Sequence, residues 1–327
     1  MVWNIIKKEK LFSPMLATFG GGSFRGFNPG VSAAAQRGLF SGGNYSNVIQ
    51  YIDITTEGNA TDFGDLHQDM TGGYNGCCSS STRALFGGGR YADTWVKRID
   101  KVEIFTEGNA ADFGDLSENK NIGAQMSSST VGVFAGGAPQ GSTSARMESV
   151  NIASLGNSTY FANLQSGEHA ELVGFASPTR GVNAGGQGGA SNGNQISYIT
   201  FSSLGNTTDF GNMSISRRAP QAFSNNTRGL ISGQNDSSNN SIDYITIAST
   251  GNTTDFGDLS FGRGQGSGVA SPERGVFAGG KGGGDRRNIM DFVTIASTGN
   301  ASDFGDLLST DSTYMSSGAS GHGGITA

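Results

Sequence analysis

An eleven-residue phrase occurs six times along this chain. Its copies read TEGNATDFGDL from Thr56, TEGNAADFGDL from Thr106, SLGNSTYFANL from Ser154, SLGNTTDFGNM from Ser203, STGNTTDFGDL from Ser249 and STGNASDFGDL from Ser297. The glycines of successive copies are 50, 48, 49, 46 and 48 residues apart. Because repeats of this period each form one supersecondary unit, the chain is predicted to fold as six similar units.

Each unit contains three further segments that indicate β-strands. A second landmark precedes the phrase: RGLFSGG at Arg37, RALFGGG at Arg83, TVGVFAGG at Thr130, RGVNAGG at Arg180, RGLISGQ at Arg228 and RGVFAGG at Arg274. Between the two landmarks lies an alternating stretch such as YITIA at Tyr244, whose period of two is typical of a strand. With an inner strand of small residues, such as GVASP at Gly268, every unit has four strands. The predicted fold class is all-β: a six-bladed β-propeller of four-stranded antiparallel blades, with an N-terminal extended arm.

Composition favours ring closure. The chain has 54 glycines and only 15% charged residues, which suits many short strands and turns. A single blade of this composition buries too little apolar surface to be stable alone, whereas radial stacking buries both of its faces. One phenylalanine recurs at the same register in each unit and is predicted to pack between blades: Phe63, Phe113, Phe161, Phe210, Phe256 and Phe304.

Charge and hydropathy limit which partners the chain is expected to have. The formal net charge of −6 gives no basic footprint for nucleic acid, so no nucleic-acid partner is expected. No segment approaches the ~20 apolar residues that cross a bilayer, so no membrane insertion is expected. The basic residues of MVWNIIKKEK follow a short apolar run, which differs from a secretory signal. The adjacent Cys77 and Cys78 are interpreted as two free, buried thiols, because a disulfide between neighbours is strained.

The ends of the chain offer one strand too many. Residues 1–27 are interpreted as an N-terminal arm and residues 28–327 as the propeller. Both GVSAAAQRG at Gly30 and SSGASGHGG at Ser316 match an inner strand. The N-terminal one is expected to complete blade 1, and a partial seventh blade using LATFGGG at Leu16 is the competing interpretation. Apolar side chains make the arm a candidate anchor to a partner subunit: Trp3, Ile5, Ile6, Leu11 and Phe12.

These residues resemble two groups of known proteins. The double glycine that ends the second strand, followed by an aromatic residue such as Tyr51, Tyr198, Tyr244 or Phe292, resembles the Kelch propeller family over roughly residues 30 to 308. The Trp position of that family is not evident here. The TGN(A/T)TDFGDL phrase is similar to repeats in virion proteins of tailed phages that infect marine cyanobacteria. That likeness implies a tail, fibre or surface-appendage protein located in the virion, with other virion proteins as partners.

A correlated change suggests an ion pair inside each blade. Five units begin the second strand with arginine and the DFG phrase with aspartate, giving the pairs Arg37 and Asp62, Arg83 and Asp112, Arg180 and Asp209, Arg228 and Asp255, and Arg274 and Asp303. The third unit loses both, carrying Thr130 and Tyr160. We therefore expect a hydrogen-bonded Arg to Asp pair in five blades, because a partly buried charge without a partner is costly.

The sequence gives little support for catalysis. His67, His169 and His322 are the only histidines and lie in unrelated contexts, so neither a three-histidine zinc site nor a Ser-His-Asp triad is indicated. The five DFG copies are repeat elements, since a kinase would need further motifs. We expect that the chain is not an enzyme and that it needs no cofactor or metal. Acidic pairs on the loops leave a carbohydrate-active enzyme as an open alternative.

Recognition is expected on the face that carries the variable loops. The loops between the second and third strands differ in length and content, whereas the turns on the opposite face are nearly constant. Their aromatic and arginine residues are the candidate contacts: Tyr91, Trp95, Arg146, Arg286 and Arg287. The favoured interpretation is a virion structural protein that displays these loops to a host surface glycan or protein. A cellular Kelch-like scaffold that binds a protein partner is the alternative.

Overall fold

The structure, a computed structural model, describes residues 36–71, 76–91, 94–139, 144–165, 170–187, 193–235 and 239–325. These residues form six four-stranded antiparallel sheets and two short hairpins, and they contain no helix. Each innermost strand lies beside the innermost strands of the two neighbouring sheets, and the last contacts the first, so the sheets close into a ring. The predicted six-bladed β-propeller is confirmed.

The strands of the first three blades follow one another along the chain. Blade 1 contains β1 (Arg37–Ser41), β2 (Asn44–Asp53) and β3 (Thr61–Thr71). Blade 2 contains β4 (Gly76–Ser79), β5 (Arg83–Gly87), the hairpin β6 (Arg90–Tyr91) and β7 (Thr94–Trp95), β8 (Arg98–Glu103) and β9 (Ala111–Asp115). Blade 3 contains β10 (Ala124–Ser127), β11 (Val131–Ala135), β12 (Arg146–Asn151) and β13 (Thr159–Asn163).

The remaining blades repeat this order. Blade 4 contains β14 (Ala170–Ala176), β15 (Arg180–Gln187), β16 (Gln195–Thr200) and β17 (Thr208–Asn212). Blade 5 contains β18 (Gln221–Ser224), β19 (Arg228–Ser232), β20 (Ser241–Thr246) and β21 (Thr254–Asp258). Blade 6 contains β22 (Ser267–Ala270), β23 (Arg274–Ala278), the hairpin β24 (Lys281–Gly282) and β25 (Asp285–Arg286), β26 (Ile289–Thr294) and β27 (Ser302–Asp306), and is followed by β28 (Ser316–Ala319).

The C-terminal strand closes the ring. β28 pairs antiparallel with β1, with Leu39 opposite Gly318, and so supplies the inner strand of blade 1. The expectation that the segment at Gly30 fills this position is wrong, because the hydrogen-bonding edge of β1 is occupied by β28. Closure therefore joins the two ends of the described chain within one sheet, which abolishes a free edge at the ring's seam.

The glycine of the second-strand landmark receives a side chain from the preceding blade. A Cβ on Gly229 would lie 2.0 Å from the ring of Phe175 in blade 4, and one on Gly275 would lie 1.9 Å from the ring of Phe223 in blade 5. Blade 2 has Ala84 instead of glycine, and the inner-strand residue at the facing position of blade 1 is Gly318. Large and small residues are thus matched from blade to blade, as close packing requires.

The core lies between the blades. The recurring phenylalanines are buried in five units, at Phe63, Phe113, Phe210, Phe256 and Phe304, which confirms their predicted role. Phe161 of the third unit is half-buried. In four blades an aromatic residue of the third strand meets this phenylalanine edge to face, as in Tyr244 and Phe256 at 6.0 Å. The phrase is therefore conserved among units because each copy fills the same interface.

The turn between the third and fourth strands docks on the outer strand of the preceding blade. The N–H groups of Gly108 and Ala110 donate to the carbonyls of Phe63 and Asp65, both at 2.8 Å. Asn109 Oδ1 accepts from the Asp65 N–H at 3.0 Å. The asparagine contact recurs at all six interfaces. The turn thus satisfies backbone groups on the outer edge of the preceding blade. The GN and DFG parts of the phrase occur together because the GN turn of one blade binds the DFG strand of the blade before it.

In five blades the arginine that begins the second strand holds the same turn. Arg228 Nη1 donates to the carbonyls of Ile295 and Ala296 in the next blade at 3.0 and 2.9 Å. Its guanidinium also lies 4.8 Å from the ring centre of Tyr244. The other four arginines likewise donate to a carbonyl of the next blade: Arg37, Arg83, Arg180 and Arg274. These arginines are therefore links between blades.

The predicted Arg to Asp pair within each blade is wrong. The aspartates that open the DFG phrase are exposed at the outer rim, where water solvates the carboxylate: Asp62, Asp112, Asp209, Asp255 and Asp303. Only Asp112 has a described ion-pair partner, and that partner is Arg98 at 3.6 Å. In the third unit Val131, not Thr130, occupies the arginine register, opposite Asn151.

Candidate functional site

The centre of the ring contains a narrow channel lined by the inner strands. Its cavity has a volume of about 110 Å³, and its walls carry mostly uncharged residues such as Cys77, Gln125 and Ser317, with Glu171 at the rim. The inner strands approach closely, since a Cβ on Gly174 would lie 2.1 Å from the backbone oxygen of Gln125. The expected preference for small residues at the crowded centre is thereby explained.

An arc of four strained residues forms part of the rim of the channel on the loop face. Glu171, Ala219, Gln265 and Tyr314 have positive φ angles of 58, 48, 61 and 57°. The N–H groups of Ala219, Gln265 and Tyr314 each donate to the carbonyl of the preceding member at 3.0, 2.8 and 2.7 Å. Non-glycine residues adopt this conformation only where the surroundings enforce it. The rim is therefore held in one geometry across four adjacent blades.

Cys77 and Cys78 are free and buried, as predicted. Cys77 borders the channel and packs in the core between blades 1 and 2, where a Cβ on Gly318 would lie 2.6 Å from its Sγ. Cys78 points into the interface with blade 3 and donates to the carbonyl of Val133 at 3.4 Å. Burial raises the pKa of the Cys78 thiol to about 12 and that of Cys77 well above its usual value. Both thiols are therefore protonated at neutral pH. Their side chains lie on opposite faces of the inner strand of blade 2.

Three buried ion pairs were missed by the sequence analysis. Lys120 pairs with Glu148 at 2.7 Å, Arg217 with Asp243 at 3.1 Å, and Arg263 with Asp291 at 2.7 Å. All six side chains are at most 2% exposed. Each cation lies in the connection between two blades and each acid on the third strand of the following blade. The available signal was a Ser-x-x-Lys/Arg motif directly after the repeated phrase, in three units, at Ser117, Ser214 and Ser260.

The acid at this position secures the incoming connection. Burial alone would raise the pKa of Glu148, but the charge of Lys120 and hydrogen bonds from Lys120, Ser158 and the Ser117 N–H lower it. Blade 2 uses Asp100, which accepts from the His67 N–H at 3.1 Å. The acid at this position of the third strand therefore has a structural role: a buried cation neutralises its charge, or hydrogen bonds satisfy its carboxylate oxygens.

On the loop face, the structure brings Tyr91 and Trp95 together. Both lie on the hairpin of β6 and β7, where Arg90 pairs with Trp95 across the strands and its guanidinium lies 5.5 Å from the indole. Tyr91 is 40% exposed. Two aromatic residues thus lie on one hairpin, an arrangement that suits stacking against a flat ligand surface.

Arg286 and Arg287 lie on the corresponding hairpin of blade 6. Arg286 pairs with Asp311 at 2.7 Å. Arg287 lies 4.8 Å from the ring centre of Phe261 and 3.4 Å from an oxygen of Asp285. Blades 2 and 6 flank blade 1, so the two hairpins are on either side of the seam.

Arg146 stands apart from the other loop candidates. It begins the third strand of blade 3, and its guanidinium lies 4.5 Å from the ring centre of Tyr160 on the outer strand. Arg98 and Asp112 occupy the equivalent positions in blade 2. Arg146 also lies 3.9 Å from Glu118, so it joins the outer strand of its own blade to the connection from blade 2. The anchor candidates Trp3, Ile5, Ile6, Leu11 and Phe12 lie outside the described residues.

The described residues form neither a metal-binding cluster nor a membrane-spanning helix. Within those ranges no group of three or more His, Cys, Asp or Glu residues is placed to hold a metal ion. No helix in the same ranges is long and apolar enough to span a membrane.

Sequence comparison with known proteins does not identify a family for this chain. No protein-family model matches the chain, and no curated protein is significantly similar to it. Fold and channel together define a six-bladed β-propeller closed by its C-terminal strand.

Proposed function

We propose that this chain is a non-enzymatic structural propeller of a tailed-phage virion that presents its loop face to a partner. The observation that carries the proposal is the contrast between the two faces. On the turn face, asparagine contacts recur at six interfaces and arginine contacts at five. The loop face has different hairpins in blades 2 and 6. Variable segments on a constant scaffold are where recognition usually occurs.

The surroundings of the buried acids support a non-catalytic role. Glu148, Asp243 and Asp291 each have a buried cation as partner. Catalytic carboxylates need a water or a substrate within reach, and these three are shielded from both. Among the described residues, the acid at the channel rim, Glu171, pairs with Arg218.

The virion assignment rests on the likeness of the TGN(A/T)TDFGDL phrase to repeats in tail, fibre or appendage proteins of cyanobacterial phages. In this role the partners are other virion proteins, bound through residues 1–27, and a host surface glycan or protein, bound by the loop face. The channel and the loop hairpins require no cofactor for either task.

Mass spectrometry of purified particles of a phage that encodes this chain tests the virion role. We expect the chain at stoichiometric levels, with residues 1–27 protected from protease only in assembled particles. Absence from the particles would contradict the proposal and favour the cellular Kelch-like scaffold, which pull-downs on the loop face would then address.

Glycan arrays test the loop face separately. Binding by the wild-type chain should be lost in Trp95→Ala and retained in Leu155→Ala, a matched control because Leu155 is an exposed apolar residue on the turn face. Equal binding by both variants would show that the hairpin of β6 and β7 does not make the contact. Release of cleaved sugar would instead favour the carbohydrate-active enzyme.

A further inference from the structure

The segment that follows β28, Ser320–Ile325, turns into the channel. We name it the terminal plug. Its first residue caps β1: the Arg37 N–H donates to Ser320 Oγ at 3.0 Å, and the Ser320 N–H donates to the Arg37 carbonyl at 3.0 Å. Serine or asparagine makes the same cap in the other blades, as Ser80 does for Arg83. In those blades the chain then continues into the second strand, whereas here it continues across the ring.

Two successive residues of the terminal plug reach opposite blades. His322 Nε2 lies 2.8 Å from the Ser79 carbonyl at the end of the inner strand of blade 2. The Gly323 N–H donates to the Ser224 carbonyl at the same level of blade 5, at 2.8 Å. Blades 2 and 5 face each other in a ring of six. The terminal plug therefore crosses the channel axis at the end that carries the constant turns.

The glycines of the terminal plug are required by space. A Cβ on Gly324 would lie 1.6 Å from the Ser127 carbonyl oxygen in blade 3. One on Gly323 would lie 2.1 Å from the Asn225 oxygen and 2.3 Å from the Ala176 oxygen, in blades 5 and 4. Neither glycine has a positive φ angle, so the demand is steric. The backbone lies flat against the carbonyl ends of the inner strands.

We propose that the turn-face mouth of the channel is a peptide-binding site for an extended glycine-rich segment with a neutral histidine, and that the terminal plug occupies it intramolecularly. The mouth presents backbone carbonyls, which accept the Gly323 N–H and the Nε2–H of the imidazole. The Nδ1 atom accepts the Gly324 N–H at 3.0 Å, which fixes this tautomer. The occupied site closes one end of the channel and leaves the loop-face rim as its entrance.

The buried thiols provide the test. Cys77 borders the channel at the edge of the core between blades 1 and 2, whereas Cys78 is enclosed between blades 2 and 3. We would label the full-length protein with a maleimide and locate the adduct by fragmentation mass spectrometry. In Gly324→Ala the terminal plug should be displaced, and Cys77 should react about tenfold faster, the effect of losing one or two hydrogen bonds. Gly205→Ala is the matched control, since a Cβ there meets nothing within 4 Å and φ is not positive.

Addition of a peptide distinguishes a vacated site from a damaged ring. An eight-residue peptide with the sequence of residues 320–327, SGHGGITA, should restore the protection of Cys77 in Gly324→Ala. The same peptide with alanine in place of the glycine corresponding to Gly324 should not. Failure of the wild-type peptide to protect would overturn the proposal, as would an unchanged rate at Cys77 in the variant.

A second variant guards against a folding defect. His322→Ala introduces no steric clash but removes the hydrogen bond to Ser79, so it should raise the rate at Cys77 by a smaller factor. Faster reaction of Cys78 in either variant would mean that blades 2 and 3 separate. That outcome would also overturn the proposal, because the segment would then be a structural element of the ring instead of an exchangeable occupant.

Discussion

The carbonyl oxygen of Gly108 in blade 2 lies against Gly64 in blade 1, where a Cβ on Gly64 would approach it to 2.4 Å. Gly64 also has a φ angle of 142°, which disfavours any side chain. Both the backbone conformation and the neighbouring turn therefore require glycine in the DFG phrase.

Gly64→Ala is expected to destabilise the protein by about 2–4 kcal/mol, the combined effect of backbone strain and a steric clash. Urea unfolding measures this change. Gly205→Ala serves as the control and should cost less than about 1 kcal/mol, since its Cβ would point into open space. Similar losses in both variants would contradict the close docking of the turn on the preceding blade.

The arginine links predict different outcomes for the two residues that the sequence analysis paired. Arg228→Met should lose two hydrogen bonds to the next blade and the contact with Tyr244, a cost of about 2–3 kcal/mol. Asp255→Asn should change stability by less than about 0.5 kcal/mol, because this carboxylate is exposed. Thermal unfolding of both variants checks this. Comparable destabilisation by Asp255→Asn would revive an Arg to Asp pair.

The contrast between these two residues shows what a repeat sequence can and cannot predict. The period, the alternation and the double glycines determine six four-stranded blades, because they report local geometry. Arg228 and Asp255 vary together among units, but covariation does not indicate which blade a side chain contacts. The arginine reaches the next blade, and the turn that it holds also docks on the outer strand that contains the aspartate.

The seam of the ring was ambiguous for a related reason. The segments at Gly30 and Ser316 both match the inner strand, and only three-dimensional pairing shows that β28 lies beside β1. Lys120, Arg217 and Arg263 were missed because their motif occurs in three units only and their acidic partners are 28, 26 and 28 residues away. The loop residues Tyr91 and Trp95 could be placed on one face, since strand order fixes which loops share a face.

The buried pair of Arg263 and Asp291 should respond differently from an exposed pair. Asp291→Asn leaves a buried guanidinium without its counter-ion, and the expected cost is about 3–5 kcal/mol. Asp311→Asn, which removes the partner of the partly exposed Arg286, should cost less than about 1 kcal/mol. Urea unfolding of the two variants gives the comparison. Equal costs would mean that water reaches the Arg263 guanidinium in the folded protein.

The imidazole of the terminal plug predicts a pH dependence. Burial lowers the pKa of His322 from 6.5 to about 4, although the hydrogen bond with Ser79 opposes this change. The hydrogen-bond partners of the ring are the Ser79 carbonyl, the Ser127 hydroxyl and the Gly324 N–H, and none of them is charged. Protonation of Nδ1 would place a proton against the Gly324 N–H, which explains why the docked state favours the neutral ring.

Because the pKa of His322 in the folded state lies below its value in the unfolded state, its contribution to stability is complete above about pH 6.5 and is lost as the pH falls towards 4. The urea midpoint of the wild-type protein should therefore fall more steeply over this range than that of His322→Gln, which does not titrate. Carboxylates that titrate in both proteins cancel in the comparison. Parallel pH profiles would show that the imidazole is not buried in the channel mouth, and would remove the chemical basis for a site selective for neutral histidine.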